Sequence, residues 1–264
     1  MTRLLSGIVL LALFGSAAWW APPAWLLVIA VAVAALATIE YCGLARALAA
    51  PVPVVPAVVG SGALCVAAAW PGVAAAPVMM AVVIVAGLLL VAGGDPSPAT
   101  LSRAAAAAFG PAYVGLPLGA LIGVRWEHGR EAMLLPFLVV IISDTAQYYA
   151  GRTMGRRPLA PRLSPKKTLE GAVGGLVAGS AALVVLGHWW WPEAPVALRA
   201  VLGATLVVLG IAGDLFESML KRAAGVKDSS SLIPGHGGVL DRIDALLFVV
   251  PVYAVVLRVY PHVS

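Results

Sequence analysis

Long apolar runs govern what this chain can become. A helix that crosses a bilayer presents about 20 mostly apolar residues to roughly 30 Å of hydrocarbon, because each backbone group left unsatisfied in lipid costs several kcal/mol. Nine stretches meet that demand, at 4–20, 23–45, 54–71, 74–93, 102–124, 132–151, 170–190, 196–220 and 240–260. With 61% hydrophobic and 11% charged residues and a mean hydropathy of +0.98, the chain is far more apolar than a soluble domain, where about a quarter of residues are charged. The expected fold class is all-α: a polytopic integral membrane helical bundle of about nine transmembrane helices. The third and fourth spans are parted only by the turn formers Trp70-Pro71-Gly72, so eight or ten spans are the alternatives. The opening stretch has the outline of a signal peptide, with Arg3 before an apolar core and Ala17-Ala18 after it. No long polar domain follows, and it reads as a membrane span.

Orientation follows from the basic residues, which short cytoplasmic loops retain. With nine spans, Arg3, Arg46, Arg103, Arg152, Arg156, Arg157, Arg162, Lys166, Lys167, Lys221, Arg222, Lys227 and Arg242 share one side, whereas Arg125, Arg130, Arg199 and Arg258 face the other. The N-terminus is therefore expected in the cytoplasm. The formal charge of +5 reflects this loop bias and an attraction to anionic lipid, and it does not point to nucleic acid. Cys42 and Cys65 lie in or beside apolar spans without metal-ligand spacing and read as small buried hydrophobes. No domain boundary is visible, so residues 1–264 read as a single integral membrane domain. Its long polar stretches, 152–168 and 221–239, both fall on the expected cytoplasmic side, with shorter connections at 94–101 and 125–131.

A carboxylate inside hydrocarbon is expensive unless paired or bound to metal, so acidic residues within spans carry most of the information. Asp214, Glu217, Ser218 and Lys221 are spaced i, i+3, i+4 and i+7, which stacks them on one helical face. Asp241 and Asp244 share a face at the start of the last span. Ser143, Asp144, Gln147 and Tyr148 form a polar stripe at the end of the sixth. Any one of these groups could simply neutralise neighbouring Lys and Arg. Three helix ends with inward carboxylates beside two basic loops suit a divalent cation better, since Mg²⁺ takes oxygen ligands and is commonly held by one or two carboxylates together with substrate phosphates.

The segment Ser164-Pro-Lys-Lys-Thr-Leu-Glu-Gly171 places Lys166, Lys167, Ser164 and Thr168 just before a helix start that includes Glu170, where free N–H groups favour phosphate. It lacks P-loop spacing. In the later loop, Pro234-Gly-His-Gly-Gly238 lets the main chain approach a ligand closely, with His236 in reach of a phosphate or a proton. His128, His188 and His262 are expected on the opposite side.

Read as Ser-x-x-Lys-Arg-x4-Lys-Asp-x-Ser-x2-Ile-Pro-x-His-Gly-Gly-Val-x-Asp-Arg-Ile-Asp, the segment Ser218 to Asp244 resembles the signature of the phosphatidate cytidylyltransferase (CDP-diacylglycerol synthase) family. The block Ser143-Asp-Thr-Ala-Gln-Tyr-Tyr-Ala-Gly-Arg152, with Leu159, Pro161 and Ser164 to Gly171, is similar to that family too. The signature-bearing half is thus about 132–264, and the N-terminal spans match only in hydropathy. Gln147 and Ser230 depart from the pattern, standing where small residues and Gly are common.

The resemblance implies an enzyme that joins CTP to phosphatidic acid, giving CDP-diacylglycerol and pyrophosphate. It also implies Mg²⁺, as two metal ions of which the second could be a different cation, and a homodimer in the inner membrane of a bacterium with the active site on the cytoplasmic side. Carried onto this chain, Asp214 and Asp241 would hold the metal pair, with Asp144 and Asp244 beside them. Lys221 would join Asp214, Asp241 and Asp144 as the catalytic set. Ser164, Lys166, Lys167, Thr168, Glu170, Ser218, Arg222, Lys227, Asp228, His236, Gly237, Gly238 and Arg242 would bind substrate. Other readings are another CTP-dependent lipid enzyme, such as a CDP-archaeol synthase or a polyprenol kinase, of which the kinase would release CDP instead of pyrophosphate, and a transporter, which would need carboxylates near the bilayer midplane.

Overall fold

The computed structural model describes residues 15, 16, 18–94, 96–233 and 237–261. Seven helices and a two-stranded hairpin follow in the order α1 (Pro23–Ala47), α2 (Val54–Ala69), α3 (Ala75–Gly93), α4 (Thr100–Met154), β1 (Pro158–Ala160), β2 (Ser164–Thr168), α5 (Leu169–Trp190), α6 (Val196–Ala223) and α7 (Leu240–Val259). Among the described residues, α1, α3, α4, α5 and α6 are long and apolar enough to cross a membrane, and α2 is a shorter apolar helix. The expected spans from 23–45 to 196–220 fall on these helices, two of them on α4, whereas 240–260 falls on α7, which is not among the helices long and apolar enough to cross. The first, at 4–20, lies largely outside the described residues.

At 55 residues α4 is far longer than a bilayer needs, and its regular geometry breaks at Gly129, with φ 84° and ψ −179°. That left-handed φ suits glycine, which has no Cβ to clash. The break falls inside the expected connection 125–131, so the spans 102–124 and 132–151 are the two halves of α4. Helix starts and stops follow local chemistry: α1 opens on Pro23, whose fixed φ suits a first helical turn, and α3 closes on Gly94 at φ 64°.

The chain forms two compact units. The first comprises Met1–Trp126 with Ala223–Arg242, and the second Glu127–Arg222 with Ile243–Ser264. In the first, α1 buries Leu26, Ala30, Ala34, Ala37, Tyr41 and Leu44, a helical stripe with three alanines at its centre. Gly115 and Gly119 of α4 lie against the main-chain carbonyls of Ser61 and Cys65, too close for any side chain. Small residues are what let membrane helices reach such contact, because lipid offers no hydrophobic drive to press them together. By contrast, α3 buries only Ala86 and exposes Met80, Val83, Ile84 and Leu88, a surface compatible with lipid.

In the second unit Gly179 of α5 meets Val207 of α6, and Gly203 of α6 meets the Ser180 backbone. The Tyr253 hydroxyl donates to the Ala132 carbonyl at 2.9 Å, so a buried polar atom is satisfied where water is excluded.

One departure from the all-α expectation is local. The polar stretch 152–168 contains an antiparallel hairpin pairing Pro158 with Thr168 and Ala160 with Ser164. A lone two-stranded hairpin is marginal, and this one is secured at its base. Leu169 N–H donates to the Arg157 carbonyl at 2.9 Å, and Glu170 Oε2 accepts from the N–H groups of Arg156 and Arg157 at 3.0 and 3.2 Å.

Candidate active site

In the second unit a cavity of about 400 Å³ is lined by Asp144, Gln147, Tyr148, Gly151, Arg152, Lys166, Lys167, Thr168, Gly171, Ala172 and Asp214. Three elements build it. The end of α4 brings the stripe beginning at Ser143, the hairpin brings the two lysines, and α6 brings Asp214. Thr168 ends β2 and caps α5, its Oγ1 accepting from Gly171 N–H at 3.1 Å. The first turn of α5 thereby forms part of the cavity wall, where its N-terminal dipole favours an anion.

One ion pair spans this cavity. Lys167 Nζ lies 2.5 Å from Asp214 Oδ2, with the two side chains 22% and 37% exposed, so the pair is only partly withdrawn from solvent. Ser218 Oγ donates to Asp214 Oδ1 at 3.3 Å. Gln147 Nε2 donates to Asp144 Oδ1 at 3.0 Å and to Ser143 Oγ at 3.1 Å, so the residue that departs from the family pattern orients the Asp144 carboxylate. Asp144 and Asp244 each lie within electrostatic range of both Asp214 and Lys167. Gly213 makes the approach of Asp244 possible, since its Cα sits against the Asp244 carbonyl where a Cβ would collide.

Deeper on the same face of α6, Glu217 and Lys221 form an i,i+4 ion pair, and Glu217 is fully buried. Lys221, expected among the catalytic groups, is thus held by a buried neighbour, while Asp244 remains in its electrostatic range. Arg222 Nε donates to the Leu163 carbonyl at 3.4 Å, tying the end of α6 to the hairpin turn. Lys166 is exposed on the cavity wall and Ser164 is half-buried. Glu170 is committed to the hairpin backbone as described above.

The remaining signature residues belong to the first unit. There Asp241 Oδ2 accepts from the N–H groups of Ser229 and Gly238 at 2.9 and 2.7 Å, and Ser229 Oγ, whose single proton is shared with Glu40 Oε2, lies 2.8 Å from it. Gly237, at φ 80°, packs against Asp241 and Asp228. Lys227, Asp228 and Arg242 are exposed. His236 and His262 lie outside the described residues. Asp214 is in the second unit and Asp241 in the first. Among the described residues, no group of three or more His, Cys, Asp or Glu side chains is arranged to hold a metal ion.

Sequence reasoning missed Glu40. Both its oxygens accept hydrogen bonds from the signature loop, from the Ser229 and Ser230 hydroxyls and from the N–H groups of Val239 and Leu240. The available signal was a single carboxylate seven residues before the end of a mostly apolar 25-residue helix whose other charged residue is Arg46, which is a functional pointer by its cost.

Comparison with known proteins adds a second line of evidence. The model of the cytidylyltransferase family matches residues 1–260. The phosphatidate cytidylyltransferase of Pseudomonas aeruginosa is 42% identical over 148 residues, which is 56% of this chain and 53% of that protein. That of Haemophilus influenzae is 42% identical over 131 residues, 48% of this chain and 46% of its own. That of Synechocystis is 41% identical over 163 residues, 58% and 55% respectively. The chain therefore spans about half the length of the curated relatives it matches.

Proposed function

The chain belongs to the cytidylyltransferase family, and from that premise we propose that it is an integral membrane phosphatidate cytidylyltransferase. It transfers the cytidylyl group of CTP to phosphatidic acid. A phosphatidate oxygen attacks the α-phosphorus, the bond from that phosphorus to the bridging oxygen breaks, and pyrophosphate leaves in line. Phosphatidate is already anionic at neutral pH, so the attack needs no dedicated general base.

The observation that carries this reading is the cavity in which Asp144 and Asp214 face Lys166, Lys167 and Arg152. Phosphoryl chemistry is mostly positioning and charge neutralisation, and these side chains supply both. Lys166, Lys167 and Arg152 neutralise phosphate oxygens, and the N-terminus of α5 adds backbone donors. Tyr148, whose hydroxyl accepts from Arg152 at 2.8 Å, keeps that guanidinium at the cavity wall. Substrate phosphate draws Lys167 away from Asp214 and leaves that carboxylate able to take another cation.

The donor set fits Mg²⁺. The ligands on offer are carboxylate oxygens, and a cationic group already sits against Asp214 Oδ2. A site completed by substrate phosphates needs only one or two carboxylates. Asp214 would hold the ion with Asp144 or Asp244, and a bound divalent ion would supply charge neutralisation at the reacting phosphate. The finer topology belongs to the same proposal: nine spans, a cytoplasmic N-terminus supported by the basic bias of the loops, and a homodimer in a bacterial inner membrane. Both substrates meet such a site naturally, CTP from the cytosol and phosphatidate from the bilayer.

The decisive experiment follows radiolabelled CTP into lipid with the purified protein, varying Mg²⁺ and omitting phosphatidate as the control. Label in a cytidylyl lipid with equimolar pyrophosphate is expected. Release of CDP would replace the proposal with a kinase, and CTP-independent solute uptake in proteoliposomes would replace it with a transporter.

A further inference from the structure

Glu40 is 7% exposed, and among the described hydrogen bonds its charge is met by hydroxyl and amide donors. Oε1 accepts from Ser230 Oγ at 2.6 Å and Val239 N–H at 2.9 Å. Oε2 accepts from Ser229 Oγ at 2.9 Å and Leu240 N–H at 2.8 Å. Each oxygen thus takes one hydroxyl and one backbone amide. The two hydroxyls lie on the entering limb of the loop and the two amides on its leaving limb, where α7 begins.

This pattern differs from a simple helix cap. Val239 and Leu240 carry N–H groups at the start of α7, and a carboxylate there is favourable in its own right. A cap alone needs neither serine. By gripping 229–230 and 239–240 together, Glu40 closes the intervening loop as a clasp. Ser229 Oγ also lies 2.8 Å from Asp241 Oδ2, so the clasp reaches Asp241 through a shared hydroxyl. Space at the junction is fully used, because a Cβ on Gly238 would collide with Ser229 Oγ and Glu40 Oε2.

We propose that Glu40, from the apolar half of the chain that lacks signature motifs, is a positioning residue for the proposed cytidylyl transfer: it clasps the loop from Ser229 to Leu240 and so sets the geometry of Gly237, Gly238 and Asp241. The claim rests on the function proposed above, yet its structural half is measurable without it. Glu40→Gln in the full-length protein in lipid nanodiscs replaces one acceptor oxygen by an NH2 donor and removes the charge, and hydrogen bonds to charged groups are the stronger kind.

Amide exchange at 229–233 and 239–240 should accelerate about tenfold or more, with α5 and α6 unchanged, and kcat/KM for CTP should fall by a factor on the order of ten to a hundred. Glu40→Asp keeps the charge with a shorter reach and should recover part of both losses. Should Glu40→Gln fold poorly, the Ser229→Ala/Ser230→Ala double variant removes both hydroxyl donors while leaving the carboxylate in place, and the same local exchange is expected. Unchanged loop exchange overturns the clasp, and so does acceleration spread evenly over all helices. A loosened loop with unimpaired turnover overturns the positioning role. If the wild-type protein makes no cytidylyl lipid, the function proposed above fails, while the exchange measurements still decide the clasp.

Discussion

Glu40 in the first unit and Asp214 in the second are both carboxylates on largely apolar helices, and they are satisfied by opposite means. Glu40 is saturated by hydroxyl and amide donors fixed to the chain. Asp214 is met by the ammonium of Lys167 and a long contact from Ser218, beside a cavity. Backbone N–H groups cannot leave without unfolding the loop, so Glu40 is part of the architecture. A lysine on a flexible four-carbon stem can exchange its partner for a phosphate, and under the proposed function that exchange is what frees Asp214 for chemistry. Two carboxylates on apolar helices, one buried and one bordering a cavity, can therefore differ in role according to whether their partners are able to move.

Substitutions at the movable end of this contrast should have the largest effect. Asp214→Asn should lower the rate of CTP incorporation by about a thousandfold, the several kcal/mol that charge neutralisation at a reacting phosphate is worth, with an unchanged thermal unfolding profile. Near wild-type turnover would remove Asp214 from the chemistry and dissolve the contrast. Lys167→Gln should come next, with a loss of about a hundredfold in kcat/KM and a raised KM for CTP. A variant that binds CTP normally would make the lysine a structural counter-ion.

At the fixed end, Ser229→Ala should reduce kcat/KM by about tenfold and speed amide exchange in the loop that precedes α7. An effect as large as that of Asp214→Asn, with the loop still protected, would mean that Ser229 meets substrate directly and would merge the two classes. Smallest of all, Thr168→Ala removes the cap of α5 and should lower stability by about 1 kcal/mol, read as a modest drop in Tm.

Much of the second unit's cavity is legible in the sequence. Asp214 and Ser218 are four apart, Ser143 and Gln147 likewise, and such spacings on an α-helix fix which side chains share a face. The Lys166-Lys167 pair is legible as a basic segment before a helix, but its strand geometry is not. Three- and five-residue strands have too little pattern to announce themselves, and the hairpin depends on Glu170 reaching back to Arg156 and Arg157. Gly129 is hidden for a different reason: a single residue turns one stretch of hydropathy into two helices. The two units also leave no trace, because each is assembled from two separate chain segments and no linker composition separates them.

By itself the sequence determined that this chain forms a bundle of membrane helices with charged groups gathered at particular helix ends. Hydropathy acts over windows of about 20 residues, and helical spacing repeats every 3.6, so both are written locally. Only the tertiary structure decided that Lys167 answers Asp214 and that a glutamate in α1 closes a loop 189 to 200 residues further along. Hydrogen bonds between segments so far apart are formed by packing, and packing leaves no periodic mark in either segment.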